Sequence, residues 1–138
     1  MYDLKQSIND EKMAKTAAQS KQFGWAVTCC FYSALHLVNN YAIQQKEQER
    51  LLPYFYRKDP VHKEKHISSH TTRVLYISYV GEKLSNTIIK TAYKELLDES
   101  MNARYRKYID CSVQEHFSIK GTKFAFTNLN EIKKALIC

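Results

Sequence analysis

The stretch that decides the fold runs from Trp25 to Ile43, WAVTCCFYSALHLVNNYAI. Trp25, Cys29, Tyr32, His36 and Ile43 share one stripe of a helix, in steps of three or four residues or their sum. Val27, Phe31, Ala34, Val38 and Ala42 fill much of the remaining circumference. A helix that is apolar nearly all round is packed on several sides, so this one is expected to be a central rod. The apolar run from Phe23 to Val38 is too short for a membrane span and contains His36. It gives way to the charged run QQKEQER, residues 44–50.

Upstream, Asp3 is placed to cap a first helix. Leu4, Ile8, Ala14, Ala17 and Ala18 form a narrow small-residue stripe that lets a neighbour approach closely. The polar QSKQFG around Gly24 reads as a turn. Downstream, residues 51–67 hold both prolines, Pro53 and Pro60, each of which disfavours helix in the residue before it. They read as a connecting loop with exposed aromatics. Ser68 or Ser69 then caps a third helix running to about Val80, where Gly81 stops it.

A fourth helix follows a cap at Ser85 or Asn86. Ile89, Ala92, Tyr93, Leu96, Ser100 and Ala103 form its buried face, with small residues late on it for tight packing against the central rod. Around the pair Lys120–Gly121, the spacing of Phe117, Ile119, Phe124 and Phe126 suggests an extended strap or short hairpin, with helix as an open alternative. Asn128 and Glu131 offer a capping box for a last helix carrying Leu129, Ile132, Ala135 and Leu136. The expected fold is therefore all-α, an up-and-down bundle of four to five helices. It forms one domain over residues 1–138, with a core at 1–110 and a C-terminal strap and helix at 111–138. Three glycines and two prolines in 138 residues suit such a fold, because strand-rich folds need many tight turns.

The net charge of +7 favours anionic partners. Residues 61–138 hold 13 Lys+Arg against 8 Asp+Glu, which makes them the more basic part. No dense basic arm is present, so the charge reads as a face rather than a tail. Cys29 and Cys30 are adjacent in an apolar run, Cys111 stands alone and Cys138 is the last residue. This spacing suits neither a zinc knuckle nor a disulfide framework and points to a reducing cytoplasm. The opening MYDLKQSINDEK lacks the apolar centre of a signal peptide.

Three histidines, His62, His66 and His70, are spaced four apart in HKEKHISSHTTR. With the helix starting near Ser69, only His70 belongs to it, and the even spacing builds no common face. A third ligand and a placed general base are missing, so no metal site is expected. No glycine-rich phosphate loop or nucleophile elbow occurs. What remains is a polar set: His36 mid-helix, His70 and Arg73 at the start of the third helix, and Arg104 and Arg106 at the end of the fourth. Arginine grips phosphate through its planar fork and histidine moves protons, so His36, His70, Arg73 and Arg104 are candidate catalytic groups. His70, Arg73, Arg104 and Arg106 are candidate anion-binding groups. The bland alternative is that His36 and Arg104 are hydrogen-bonded polars that fix helix register.

In order, WAVTCCFYSALHLVNNYA, SSHTTR and AYKELLDESMNARYRKY resemble the small all-helical HEPN superfamily, in particular its single-domain members. The resemblance covers roughly residues 1–110. It implies a four- or five-helix bundle, commonly a homodimer. Many such proteins are metal-independent ribonucleases of toxin–antitoxin or phage-defence systems, and others are inactive partners of nucleotidyltransferases. Active members carry an arginine, four to six residues and then a histidine. Arg104 matches that arginine by position, but residues 109–111 read Ile-Asp-Cys, and His116 is too distant. Arg57 and His62 have the spacing but sit in the proline-broken segment. The expectation is RNA or nucleotide-bearing partner binding through a His/Arg cleft, without a cofactor. A ribonuclease drawing its imidazole from another helix and a structural interaction module remain as alternatives.

Overall fold

The computed structural model describes residues 2–56, 65–105 and 119–137. The stretch read first lies within one helix, α2 (Phe23–Gln44), most of whose circumference is buried. Phe31, Val38 and Leu37 are fully enclosed, each contributing about 1.5–3 kcal/mol of burial. Around it stand α1 (Tyr2–Gln19), α3 (Ser69–Lys83), α4 (Ile88–Tyr105) and α5 (Ile119–Leu136), giving the all-α bundle that the periodicity predicts. α2 packs against all four others, and α4 also packs on α3 and α5. None of the described helices is long and apolar enough to cross a membrane.

α1 and α2 run antiparallel, and their seam is small and polar. The buried residues of α1 are Ser7, Asp10, Ala14 and Ala17. Ser7 and Ser33 exchange bonds across it: the Ser33 hydroxyl donates to the Ser7 carbonyl at 2.8 Å, and the two hydroxyls lie 2.9 Å apart. Ile8, predicted to face inward, is instead 52% exposed. The serines take the close-approach positions because hydroxyls can satisfy backbone carbonyls there. Lys133 of α5 is bound to Glu11 of α1, which ties the last helix to the first.

Between α2 and α3 a 3-10 turn (Gln48–Leu51) leads into the expected connecting segment 51–67, which contains a short antiparallel pair, β1 (Tyr54–Tyr56) and β2 (Lys65–Ile67). His66 sits in β2 opposite Phe55. Arg57 and His62 lie outside the described residues.

Two expectations at helix ends and one along a helix are corrected. Gly81 does not stop α3, which continues to Lys83. It is instead a close-packing site, because a Cβ there would come within 2.7 Å of the Asn86 carbonyl oxygen. The Asn128–Glu131 capping box is not formed, since Asn128 lies in mid-helix and its amide donates to Glu95 at 3.0 Å. Residues 119–126 are helical rather than a strap. The inward face of α5 is Thr122, Ala125, Leu129, Ile132 and Leu136, whose small polar first member hides the period, while Phe124 points outward. Residues 106–118, including Arg106, Cys111 and His116, lie outside the described residues.

Candidate functional site

The start of α3 is fixed before its side chains come into play. Ser68 caps it, its hydroxyl accepting from the Thr71 amide. The Thr72 hydroxyl donates to the Leu51 carbonyl at 2.8 Å, anchoring the turn to the segment that follows α2. His70 and Arg73 project from this anchored turn toward the Phe31–Asn39 side of α2. The His70 ring lies 5.9 Å from that of Phe31, and the Arg73 Nε donates to the Asn39 side-chain oxygen at 3.0 Å.

Arg104 arrives from the C-terminal turn of α4. Its Nη1 donates to the Tyr32 hydroxyl at 2.7 Å, and its guanidinium centre lies 5.3 Å from the Tyr32 ring centroid and 6.0 Å from that of Phe31. Phe31 is therefore the hub: Tyr32, His70 and Tyr93 all have ring centroids within 6 Å of it. Two helices, α3 and α4, bring His70 and Arg104 against one buried phenylalanine of α2, with Arg73 on the same α3 segment bonded to Asn39.

The two arginines differ in what they have left to offer. Of five guanidinium N–H groups, Arg104 commits its Nε to the Ser100 carbonyl and its Nη2 to the Ser100 hydroxyl and the Met101 sulfur, besides the bond to Tyr32. Arg73 commits only Nε to Asn39 and Nη1 to the Ser69 carbonyl. It has no ion pair among the described residues, and its Nη2 has no partner there. Arg73 is only partly buried.

Burial pushes the His70 imidazole below its ordinary pKa, and the charges of Arg73 and then Arg104 add to that. At neutral pH the ring is neutral. Its Nδ1 is enclosed without a partner among the described residues. Tyr93, fully enclosed, has a hydroxyl likewise without a partner there, and burial holds its pKa well above the ordinary phenol value, against the opposing pull of Arg73.

His36 has different company. Its Nδ1 lies 2.8 Å from the Asp3 carboxylate, which can only accept, so the ring donates. Its Nε2 is 3.8 Å from Asp10, and Tyr2 packs edge-on against the ring. Carboxylates on both sides make His36 a link between α1 and α2. Among the described residues it is linked to the arginine cluster through Asn39, whose amide nitrogen donates to the same Asp3 oxygen at 3.3 Å. Asn39, Asp3, Tyr32 and Tyr93 were not singled out in the sequence as site residues. The signal for Asn39 was present, because it continues the helical line of Tyr32 and His36.

A groove of about 510 Å³ between α4 and α5 includes none of these residues. Glu95, Asp98 and Glu99 line it, which suits an anion poorly. No group of three or more His, Cys, Asp or Glu among the described residues is arranged to hold a metal ion. Cys29 and Cys30 are buried, and burial pushes the Cys29 thiol up to about 11, so neither is an activated nucleophile. The fold and site together define a helical bundle with a neutral imidazole between two guanidiniums. No family model matches the chain, and no curated protein or solved structure matches it.

Proposed function

We propose that this is a HEPN-like helical protein that binds RNA, or a nucleotide-bearing partner, through the face made by His70, Arg73 and Arg104. The observation that carries the reading is Arg73: a partly buried arginine, aimed by Asn39 and Ser69, with N–H groups that have no partner among the described residues and can meet an incoming oxygen. A phosphate oxygen is an acceptor-only group that matches such a fork. Arg104 adds charge near the same imidazole, whose ring is kept neutral beside the two guanidiniums. The net charge of +7 makes approach of a polyanion favourable at long range. The cysteine spacing suits the cytoplasm, and the HEPN resemblance implies a homodimer in a toxin–antitoxin or phage-defence setting, with a nucleotidyltransferase as an alternative partner.

One observation favours a second reading, metal-independent RNA cleavage. A neutral imidazole is ready to accept a proton, and His70 is kept neutral beside two guanidiniums. In that reaction His70 takes the proton of a 2′-hydroxyl, the 2′-oxygen bonds to phosphorus, and the bond to the 5′-oxygen breaks, with a solvent proton going to the leaving oxygen. The arginines stabilise the charge gathered on phosphorus.

Labelled RNA incubated with the purified protein in EDTA tests both. Salt-sensitive binding without cleavage supports the binding reading. Cleavage abolished in both His70→Ala and Arg104→Ala supports the enzyme. Neither binding nor cleavage leaves a structural interaction module, the outcome that defeats both.

A further inference from the structure

Between Asp3 and Arg73 sits a single amide, Asn39. Asp3 presents only acceptors and Arg73 only donors, so the Asn39 side chain has one workable orientation. Its nitrogen must face the carboxylate and its oxygen the guanidinium, as the bonds at 3.3 and 3.0 Å record. The Asp3 oxygen that holds the amide is itself held by His36 at 2.8 Å. A chain of hydrogen bonds thus runs from the first turn of α1, across α2, to the first turn of α3, although α1 and α3 share no substantial packing.

An aspartate at position 39 could also accept from Arg73, but it would cancel the charge that an anionic ligand needs and would repel Asp3. The neutral amide fixes the guanidinium and leaves its charge available. We infer that Asn39, oriented by Asp3, is a positioning residue that aims Arg73 at an RNA phosphate while leaving its charge uncompensated. This rests on the RNA-binding reading above. It extends the site to α1, which touches no ligand in that reading.

The test is binding of a labelled single-stranded RNA to the full chain across a salt series, with the melting temperature followed in parallel. Asn39→Ala weakens binding by about threefold to tenfold and leaves the salt dependence unchanged, because the charge of Arg73 remains. Asn39→Asp binds more weakly still, and its salt slope falls by about one phosphate contact, as for loss of the arginine. A purely structural role predicts the reverse order, since aspartate is the closer mimic in shape and keeps an acceptor. Asp3→Ala weakens binding as Asn39→Ala does, and the double variant is no weaker than Asn39→Ala alone. The inference is overturned if Asn39→Ala binds within about twofold of the unaltered protein, if Asn39→Asp binds better than Asn39→Ala, or if the two alanine effects multiply. Salt-sensitive binding lost in Arg73→Ala but indifferent to positions 3 and 39 defeats this inference alone. Absence of binding by the unaltered protein defeats the RNA reading and this inference with it.

Discussion

Arg73 and Arg104 carry the same charge at opposite ends of one cluster, and their hydrogen bonds separate their work. Arg104 ties the last turn of α4 to Tyr32 on α2, so Arg104→Ala is expected to lower stability by about 1–3 kcal/mol through the loss of charge-assisted bonds. Chemical denaturation measures it. Between them His70 sets a pH dependence of definite sign. Its folded-state pKa lies below its unfolded value, so folding favours the neutral ring. The contribution is fully present above the unfolded value of about 6.5 and is lost as pH falls through the folded one. Melting curves should therefore show the unaltered protein losing more stability between pH 7 and 5 than His70→Gln does. An equal loss in both would contradict that environment for the ring. Protonation of His70 adds a third positive charge to the site, so RNA affinity should rise as pH falls through its lowered folded-state value.

The helix ends show where sequence reading fails at the scale of elements. α1, α2 and α3 each finish in the same way, with Lys21, Lys46 and Ser85 in the left-handed region at φ near 60°. The backbone amide after each reaches back five residues, as Asn86 does to the Gly81 carbonyl at 2.8 Å. This is the closing pattern usually given to glycine, adopted here by residues with side chains. The first two closings lie in the polar runs QSKQFG and QQKEQER, where turns are expected, whereas α3 closes at Ser85 rather than at Gly81, which serves packing instead. Ser85→Gly should stabilise the protein by about 1 kcal/mol by removing the left-handed penalty. Gly81→Ala should destabilise it, because the added methyl meets backbone rather than a flexible side chain. Thermal or denaturant unfolding decides both. The buried face of α4 was legible to the residue, Ile89 through Ala103, because its apolar period is unbroken. α5 was legible only in its second half, since its first inward residue, Thr122, is polar and Phe124, the large apolar residue beside it, faces water.

At the scale of the molecule, α2 organises everything else, and its composition alone announced that role. The site could be read only in part, because a sequence shows which polar groups share a helix but not which helices meet. His36 and Arg104 lie on adjacent helices, yet one is turned to carboxylates on α1 and the other to Tyr32. The paired serines Ser7 and Ser33 tie α1 to α2 in the seam that His36 shares with Asp3. Ser33→Ala should cost about 1–3 kcal/mol by removing the hydroxyl that donates to the Ser7 carbonyl in a sealed seam, while the Ser7 hydroxyl keeps its bond to the Ser33 carbonyl. A change near zero on denaturation would mean that water replaces the lost hydroxyl.

The central claim is that the open side of Arg73, beside His70 and Arg104, receives an RNA phosphate. The most direct test compares the salt dependence of RNA binding, in EDTA, between the unaltered protein and Arg73→Ala. Removal of this one guanidinium should weaken binding across sequences and reduce the slope of log affinity against log salt by about one. An unchanged affinity and slope in a folded Arg73→Ala protein would contradict the account.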